Sequence, residues 1–453
     1  MAREQLNEYL EAVGAQIRWR RARRPLLREL SDHIADQAAA FEAEGQSPGE
    51  ALAAAVAEMG EPEEVGRELD RLHRPRSCWR LALTVAVLLG VGLALQLLAY
   101  QIIGDEPSVY YFRRQAVGLA LAAGVLVCLW FSDYTLLFRR RWVPAAVMAA
   151  LCLGFVPILW MRTSWYISLY RFLLYPSLLL PIPYAALLVR LRGKGPLAVL
   201  LCGIAALALP FTALLAPHLT AWLVGTGSML VVLLTAVRLG WFRGRRRWNA
   251  LAALGPALTA ALGMGCRLVQ SGSFQERMAV FWNPELDPAA RGFWFLRIRS
   301  GDLSFYTRSS PDMLLAELSH GLGRWVFWVT AVGIVLLATL LLRRIFRLRS
   351  RTGKLTALAA LCPLLFQAVI YWLYNLGWWP SGALSLPFLS YGVTFLLVDA
   401  ALAGVLLSVF RMDALVRDAV AASARPVSLP EALNIPLGCG SLHIEYRRTV
   451  KKS

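Results

Sequence analysis

Two stretches of the chain hold the side chains that could do chemistry. In SSPDMLLAELSHGLG, residues 309–323, Asp312 follows Pro311 and precedes the apolar-periodic Met313, Leu314 and Ala316. That spacing predicts a helix opening at Asp312, where exposed amides and the helix dipole stabilise a carboxylate. An ordinary N-terminal helix charge is the plainer account of Asp312 on these residues alone. Upstream lie RMAVFWNPELDP at 277–288 and RSGDL at 299–303, and Arg277, Arg297, Arg299 and Arg308 are candidate cations on that side. The second stretch is GALSLPFLSYG, residues 382–392, where Pro387 marks a break and Ser390, Tyr391 and Gly392 bring small and hydroxylated groups to the start of an apolar run. An interfacial turn with a helix-packing surface explains these residues equally well. His320 stands eight residues beyond Asp312, about 12 Å of helical rise, which excludes direct contact; His218, between two apolar blocks, reads as an interfacial residue.

Composition sets what must position them. The chain of 453 residues is 57% hydrophobic and 17% charged, with a mean hydropathy of +0.52. Its apolar residues fall in blocks of about twenty, the length a helix needs to cross hydrocarbon. Disorder, a secreted disulfide scaffold and a transmembrane β-barrel are excluded, the last because barrel strands alternate. The fold class is all-α, a polytopic membrane protein. Cys78, Cys128, Cys152, Cys202, Cys266, Cys362 and Cys439 are scattered without CxxC spacing and read as small apolar residues. The formal charge of +18 does not imply nucleic acid, because the cations lie between apolar blocks.

Residues 1–75 are rich in Glu, Arg and Ala and predict a small cytosolic domain of four helices. Leu6, Leu10, Val13 and Ile17 mark the first; Leu27, Leu30, Ile34, Ala38 and Phe41 mark the second. Ser47-Pro48-Gly49-Glu50 is a capping box that opens the third, Gly60 ends it, and Pro62 starts a fourth through Val65, Leu69 and Leu72. Residues 79–411 then offer ten spanning candidates, roughly 79–103, 114–132, 143–161, 172–190, 196–216, 218–239, 248–268, 323–342, 356–378 and 388–410. Basic residues crowd the even-numbered loops: Arg139–Arg141; Arg190, Arg192 and Lys194; Arg238, Arg243 and Arg245–Arg247; Arg343, Arg344, Arg347, Arg349, Arg351 and Lys354. The positive-inside rule therefore puts both termini in the cytoplasm and the long loop 269–322 outside. Residues 412–453 read as a basic, weakly ordered cytosolic tail at the inner membrane surface, broken by Pro426, Pro430 and Pro436.

Such a protein could be a transporter, a channel or an enzyme acting on a lipid-linked substrate. Transporters tend to show internal repeats and mid-membrane ionisable groups; no repeat is evident, and the first seven spans carry almost no carboxylate. LPFLSYG, FWNPELDP and PDMLLAELSHGLG, spread over ten spans, together resemble the shape, elongation, division and sporulation (SEDS) family, membrane glycosyltransferases of the FtsW, RodA and SpoVE type. YFRRQ at 111–115 and SDYTLLFRRRW at 132–142 are similar to the family's second helix and its flank. The likeness covers roughly residues 80–411. EYLEAVGAQIR and EMGEPEEVGRELDRLHRP, within 1–75, resemble a helical prefix domain found ahead of some Gram-positive permease-like membrane proteins.

The resemblance implies a peptidoglycan glycosyltransferase that polymerises lipid II at the outer face of the cytoplasmic membrane, in division, shape or sporulation. It makes Asp312 the general base, against the plainer account above. Arg277 matches the family's Arg before the Asn-Pro segment, and Arg277, Arg297, Arg299 and Arg308 are the cations available to the departing diphosphate, each equally readable as an ordinary headgroup-facing arginine. Trp165, Ser390 and Tyr391 join them as substrate-binding residues under the resemblance. The implied partners are lipid II, a class B penicillin-binding protein and membrane lipids, with no nucleic acid. No cofactor is required; a divalent cation, Mg or Mn, could share the diphosphate, and no metal-ligand spacing identifies its ligands. The chain departs from the family at several polar positions. Ser164 stands for an Arg, Leu178 for a Glu, Pro181 for a Lys, His218 for an Asp, and His320 and Gly321 for paired Glu. Those losses motivate two alternatives, a catalytically weakened scaffold that recruits a transpeptidase and a flippase for the lipid-linked precursor.

Overall fold

A computed structural model describes residues 2–73, 78–103, 108–140, 142–153, 174–211, 218–283, 314–323, 325–376, 379, 382–413, 432–437 and 440–445. Residues 1–415 and 416–453 form two units.

The first unit begins with α1 (Ala2–Gln16), α2 (Arg20–Ala43), α3 (Pro48–Glu58) and α4 (Pro62–His73). Tyr9, Val13, Ile17, Ala22, Leu26, Ile34, Ala38 and Ala55 make the core that these helices share. The capping box forms: Ser47 Oγ accepts the Glu50 amide at 3.4 Å and donates to the Glu50 carboxylate at 2.6 Å, holding that carboxyl below its ordinary value. Gly60 ends α3 in the left-handed region at φ +82°. Glycine is also needed at Gly66, where a β-carbon would come within 2.7 Å of Gln16 and 2.8 Å of the Val13 carbonyl on α1. Leu72, expected on the apolar stripe of α4, is exposed; Asp70 takes the buried position one turn before His73 and accepts the Arg18 amide at 3.0 Å.

The apolar remainder is helical at every expected span, over at least part of its length. In chain order it comprises α5 (Trp79–Ile103), α6 (Ser108–Phe131), a single turn α7 (Leu136–Arg139), α8 (Val143–Leu153), a 3-10 turn Tyr175–Leu179 running into α9 (Pro181–Arg190), α10 (Pro196–Ala208), α11 (Leu219–Arg238), α12 (Arg246–Gln270), α13 (Gly272–Trp282), α14 (Leu314–Leu322), α15 (Trp325–Phe346), α16 (Arg351–Asn375) and α17 (Val393–Met412). Six of them, within α6, α11, α12, α15, α16 and α17, are long and apolar enough to cross a membrane. α17 is the centre of the bundle, with 78% of its apolar window buried, whereas α12 and α15 have 11% and 17% and turn Leu258, Leu262, Val329, Val332 and Val335 outward. Apolar side chains exposed along whole helices are what a lipid surround requires.

Three expectations are corrected. The segment 269–322 is not loop up to the helix expected at Asp312, because α12 runs to Gln270 and α13 follows at once; α14 is the helix expected there. The last span starts at Val393 rather than 388, since Phe388 at φ +65° and Gly392 at φ +139° leave the helical region. The second unit is not without structure: β1 (Ala432–Leu437) and β2 (Gly440–Glu445) form an antiparallel hairpin with Leu433 opposite Ile444 and Ile435 opposite Leu442. The sequence signal was there in the alternation of Leu433, Ile435 and Leu437 before a Gly-Cys pair. Pro436 is tolerated because a two-stranded ribbon is all edge.

Candidate functional site

Residues 382–392 are non-helical backbone carried into the interior of the bundle. Where water is absent, each peptide group needs a partner, and here side chains from four helices supply them. Thr220 on α11 donates to the Gly382 carbonyl at 2.6 Å and accepts the Trp379 indole N–H at 3.1 Å. Gln367 on α16 donates at 2.8 Å to both the carbonyl and the hydroxyl oxygen of Ser385. The Phe388 amide donates to Asp399 Oδ2 on α17 at 3.0 Å, and the Gly392 amide donates to Gln115 Oε1 on α6 at 3.0 Å. Gln115, Thr220, Gln367 and Asp399 are all buried. Gly92 on α5 lets the segment approach, since a β-carbon there would collide with the Phe388 carbonyl.

A second contact ties this segment to α14. Leu314, Leu315 and Leu318 of α14 pack with Val326, Phe327, Tyr371, Tyr374, Ala383 and Leu386 in one buried cluster. At the start of α14, where an intrahelical acceptor is lacking, the Leu314 amide donates to the Tyr371 hydroxyl at 2.9 Å. The helix that follows Asp312 by two residues is therefore seated on α16 and against the re-entrant segment.

Of the site residues expected from the sequence, two are described in full. Ser390 is buried, and its hydroxyl accepts the Leu386 amide at 2.7 Å, so it closes the turn of the segment. Tyr391 is half-buried beside it. Arg277 lies on α13. Asp312, Arg297, Arg299, Arg308 and Trp165 lie outside the described residues. Among the described residues no group of His, Cys, Asp and Glu side chains could hold a metal ion. His218 acts as the N-cap of α11, its Nδ1 accepting the Ala221 amide at 3.3 Å.

Sequence reasoning missed Asp399, Gln367 and Thr220, and quoted Gln115 only within YFRRQ. The available signal was their polarity inside apolar spans, which is rare in a bilayer unless the group has a partner. At the positions where the chain departs from the SEDS pattern, Tyr175, Ser177, Leu178 and Pro181 are buried, with the Tyr175 ring 3.8 Å from that of Phe395. Apolar packing occupies that part of the interior.

Residues 296–414 match the model of the FtsW, RodA and SpoVE family, described as cell cycle protein. The match takes in Arg297, Arg299, Arg308, Asp312, the re-entrant segment and α17. Among solved structures, the chain is similar to one from work described as "Structural coordination of polymerization and crosslinking by a peptidoglycan synthase complex", with a TM-score of 0.53 and 21% identity over 74% of this chain and 98% of that one. No curated protein matches this chain.

Proposed function

From the match of residues 296–414 to the model of the FtsW, RodA and SpoVE family, we propose that this chain is a member of that family and polymerises peptidoglycan glycan strands from lipid II at the outer face of the cytoplasmic membrane. The observation that carries the proposal is the shared cluster joining α14, just after Asp312, to the buried 382–392 segment. It seats α14, the helix that begins two residues after the acid, on the membrane body, in keeping with the need of a general base to meet a hydroxyl within hydrogen-bond reach. The fold similarity to a chain of a peptidoglycan synthase complex is in keeping with it, and a class B penicillin-binding protein is the partner it suggests.

The step is a substitution at an anomeric carbon. The acceptor sugar hydroxyl attacks C1 of the donor, the bond from C1 to the diphosphate oxygen breaks, and undecaprenyl diphosphate departs with the electron pair. Asp312 takes the hydroxyl proton. Positive charge from Arg277, Arg297, Arg299 and Arg308 stabilises the diphosphate as it leaves. Purified protein supplied with lipid II yields glycan polymer, and Asp312→Ala abolishes it. Equal product from the two proteins would remove Asp312 from the mechanism. The aromatic packing of Tyr175 on Phe395 favours a second reading, in which the chain is a scaffold that recruits a transpeptidase; under that reading Asp312→Ala restores growth to a deletion strain as well as wild type does.

A further inference from the structure

We propose that the arginine-rich corner between α1 and α2 is a docking surface for anionic lipid headgroups on the membrane face that carries the short basic loops. The corner contains Arg18, Arg20, Arg21, Arg23 and Arg24, with Trp19 among them. Arg18 has a relative exposure of 88%, and Arg24 and Arg28 are exposed. Trp19 packs in part on the domain's core, so the corner is held by apolar burial.

Its position follows from how the helices run. Gly66 of α4 lies against Val13 and Gln16 of α1, and Asp70, one turn on, accepts the Arg18 amide. α1 and α4 are therefore parallel, and the last residue of α4, His73, falls at the same end as the corner. Residues 74–78 alone separate that end from α5, the first apolar span. Five extended residues reach about 18 Å at most, so the corner is tethered close to the headgroup layer. α2 then folds back along α1, with Arg23 and Leu27 beside Gly14.

Charge selects the occupant. The neighbouring protein surface on that face is itself basic, with Arg139, Arg140, Arg190, Arg192, Lys194 and Arg243 in its loops, and like charges repel the corner. Asp70 partners Arg18, whereas Arg24 and Arg28 are exposed to an outside anion. Planar guanidinium groups match phosphate oxygens in pairs, and juxtamembrane arginines within a Debye length are drawn to an anionic leaflet. The inference is independent of the reaction proposed above.

The test uses the full-length protein in nanodiscs of phosphatidylcholine alone and of phosphatidylcholine with phosphatidylglycerol. Phenylglyoxal, an uncharged reagent, modifies accessible arginines, and mass spectrometry reads each site. The expected result is modification of Arg20, Arg21 and Arg24 slowed about threefold or more by phosphatidylglycerol, relieved at high salt, with the exposed Arg67 of α4 unchanged. In Arg20→Glu/Arg24→Glu, Arg21 reacts at one rate in both lipids while exchange protection of the α1 and α3 amides is kept. Equal rates at the corner in both lipids, whether fast or slow, overturn the proposal. So does slowing confined to Arg67, which would turn α4 rather than the corner toward the lipid.

Discussion

Asp399 is the residue on which the buried segment depends most directly. Its Oδ2 accepts the Phe388 amide, and Phe388 holds a backbone conformation, φ +65°, that non-glycine residues seldom adopt without such support. Among the described residues Oδ1 has no partner, nor does Gln367 Oε1. A single acceptor thus anchors a strained turn in a region without water. Asp399→Ala strands the Phe388 amide and costs about 1–3 kcal/mol, while Asp399→Asn keeps an acceptor of the same shape. Thermal unfolding in detergent checks this: the alanine variant melts several degrees lower and the asparagine variant falls between it and wild type. An unchanged melting temperature for Asp399→Ala would show that the segment is held by its other bonds.

At the scale of elements, α17 is fixed by close approach along its length. A β-carbon at Gly404 would lie 2.7 Å from Leu129 Cβ and 3.0 Å from the Leu126 carbonyl on α6. At one end Ser408 donates to the Ser132 carbonyl and Arg411 to that of Phe131, and at the other Gln115 holds Gly392. Gly404→Val therefore forces two bonded helices apart and lowers the melting temperature, whereas Gly124→Val on α6, where a β-carbon meets nothing within 4 Å, leaves it nearly unchanged. Equal effects would mean that the two helices are not in this register. This end-to-end fastening also explains what could be read in advance. Periodicity and caps located α1 to α4 and both ends of α5, because those boundaries are set by local chemistry at Ser47, Gly60 and Pro62. The start of α17 was misplaced because Phe388 is kept out of the helix by Asp399, eleven residues on, and Gly392 by Gln115 on another helix. Long-range partners of that kind leave no periodic trace. Of the two helices within 269–322, α14 follows the apolar periodicity after Asp312, whereas α13 was hidden by length, since eleven residues are too short for a span and it abuts α12 with one residue between them.

For the whole molecule, the distribution of charge predicts an orientation that the packing alone does not. Lys and Arg are enriched in short loops that remain in the cytoplasm, because moving them across the membrane is costly during insertion. Arg139–Arg141, Arg190–Lys194, Arg243–Arg247 and Arg343–Lys354 satisfy that rule together only if successive apolar helices cross in alternate directions and α1 to α4 share their side. The α13 segment, with Glu276 exposed on it, then emerges on the opposite side, where a lipid-linked donor would be consumed. In a background with every native cysteine replaced by serine or alanine, Glu276→Cys on intact cells reacts with a membrane-impermeant maleimide. Gln46→Cys, between α2 and α3, reacts only after the membrane is opened. Labelling of both positions from outside would break the alternation of spans. The reverse pattern, with position 46 labelled and 276 protected, would put Asp312 in the cytoplasm and rule out polymerisation at the outer face.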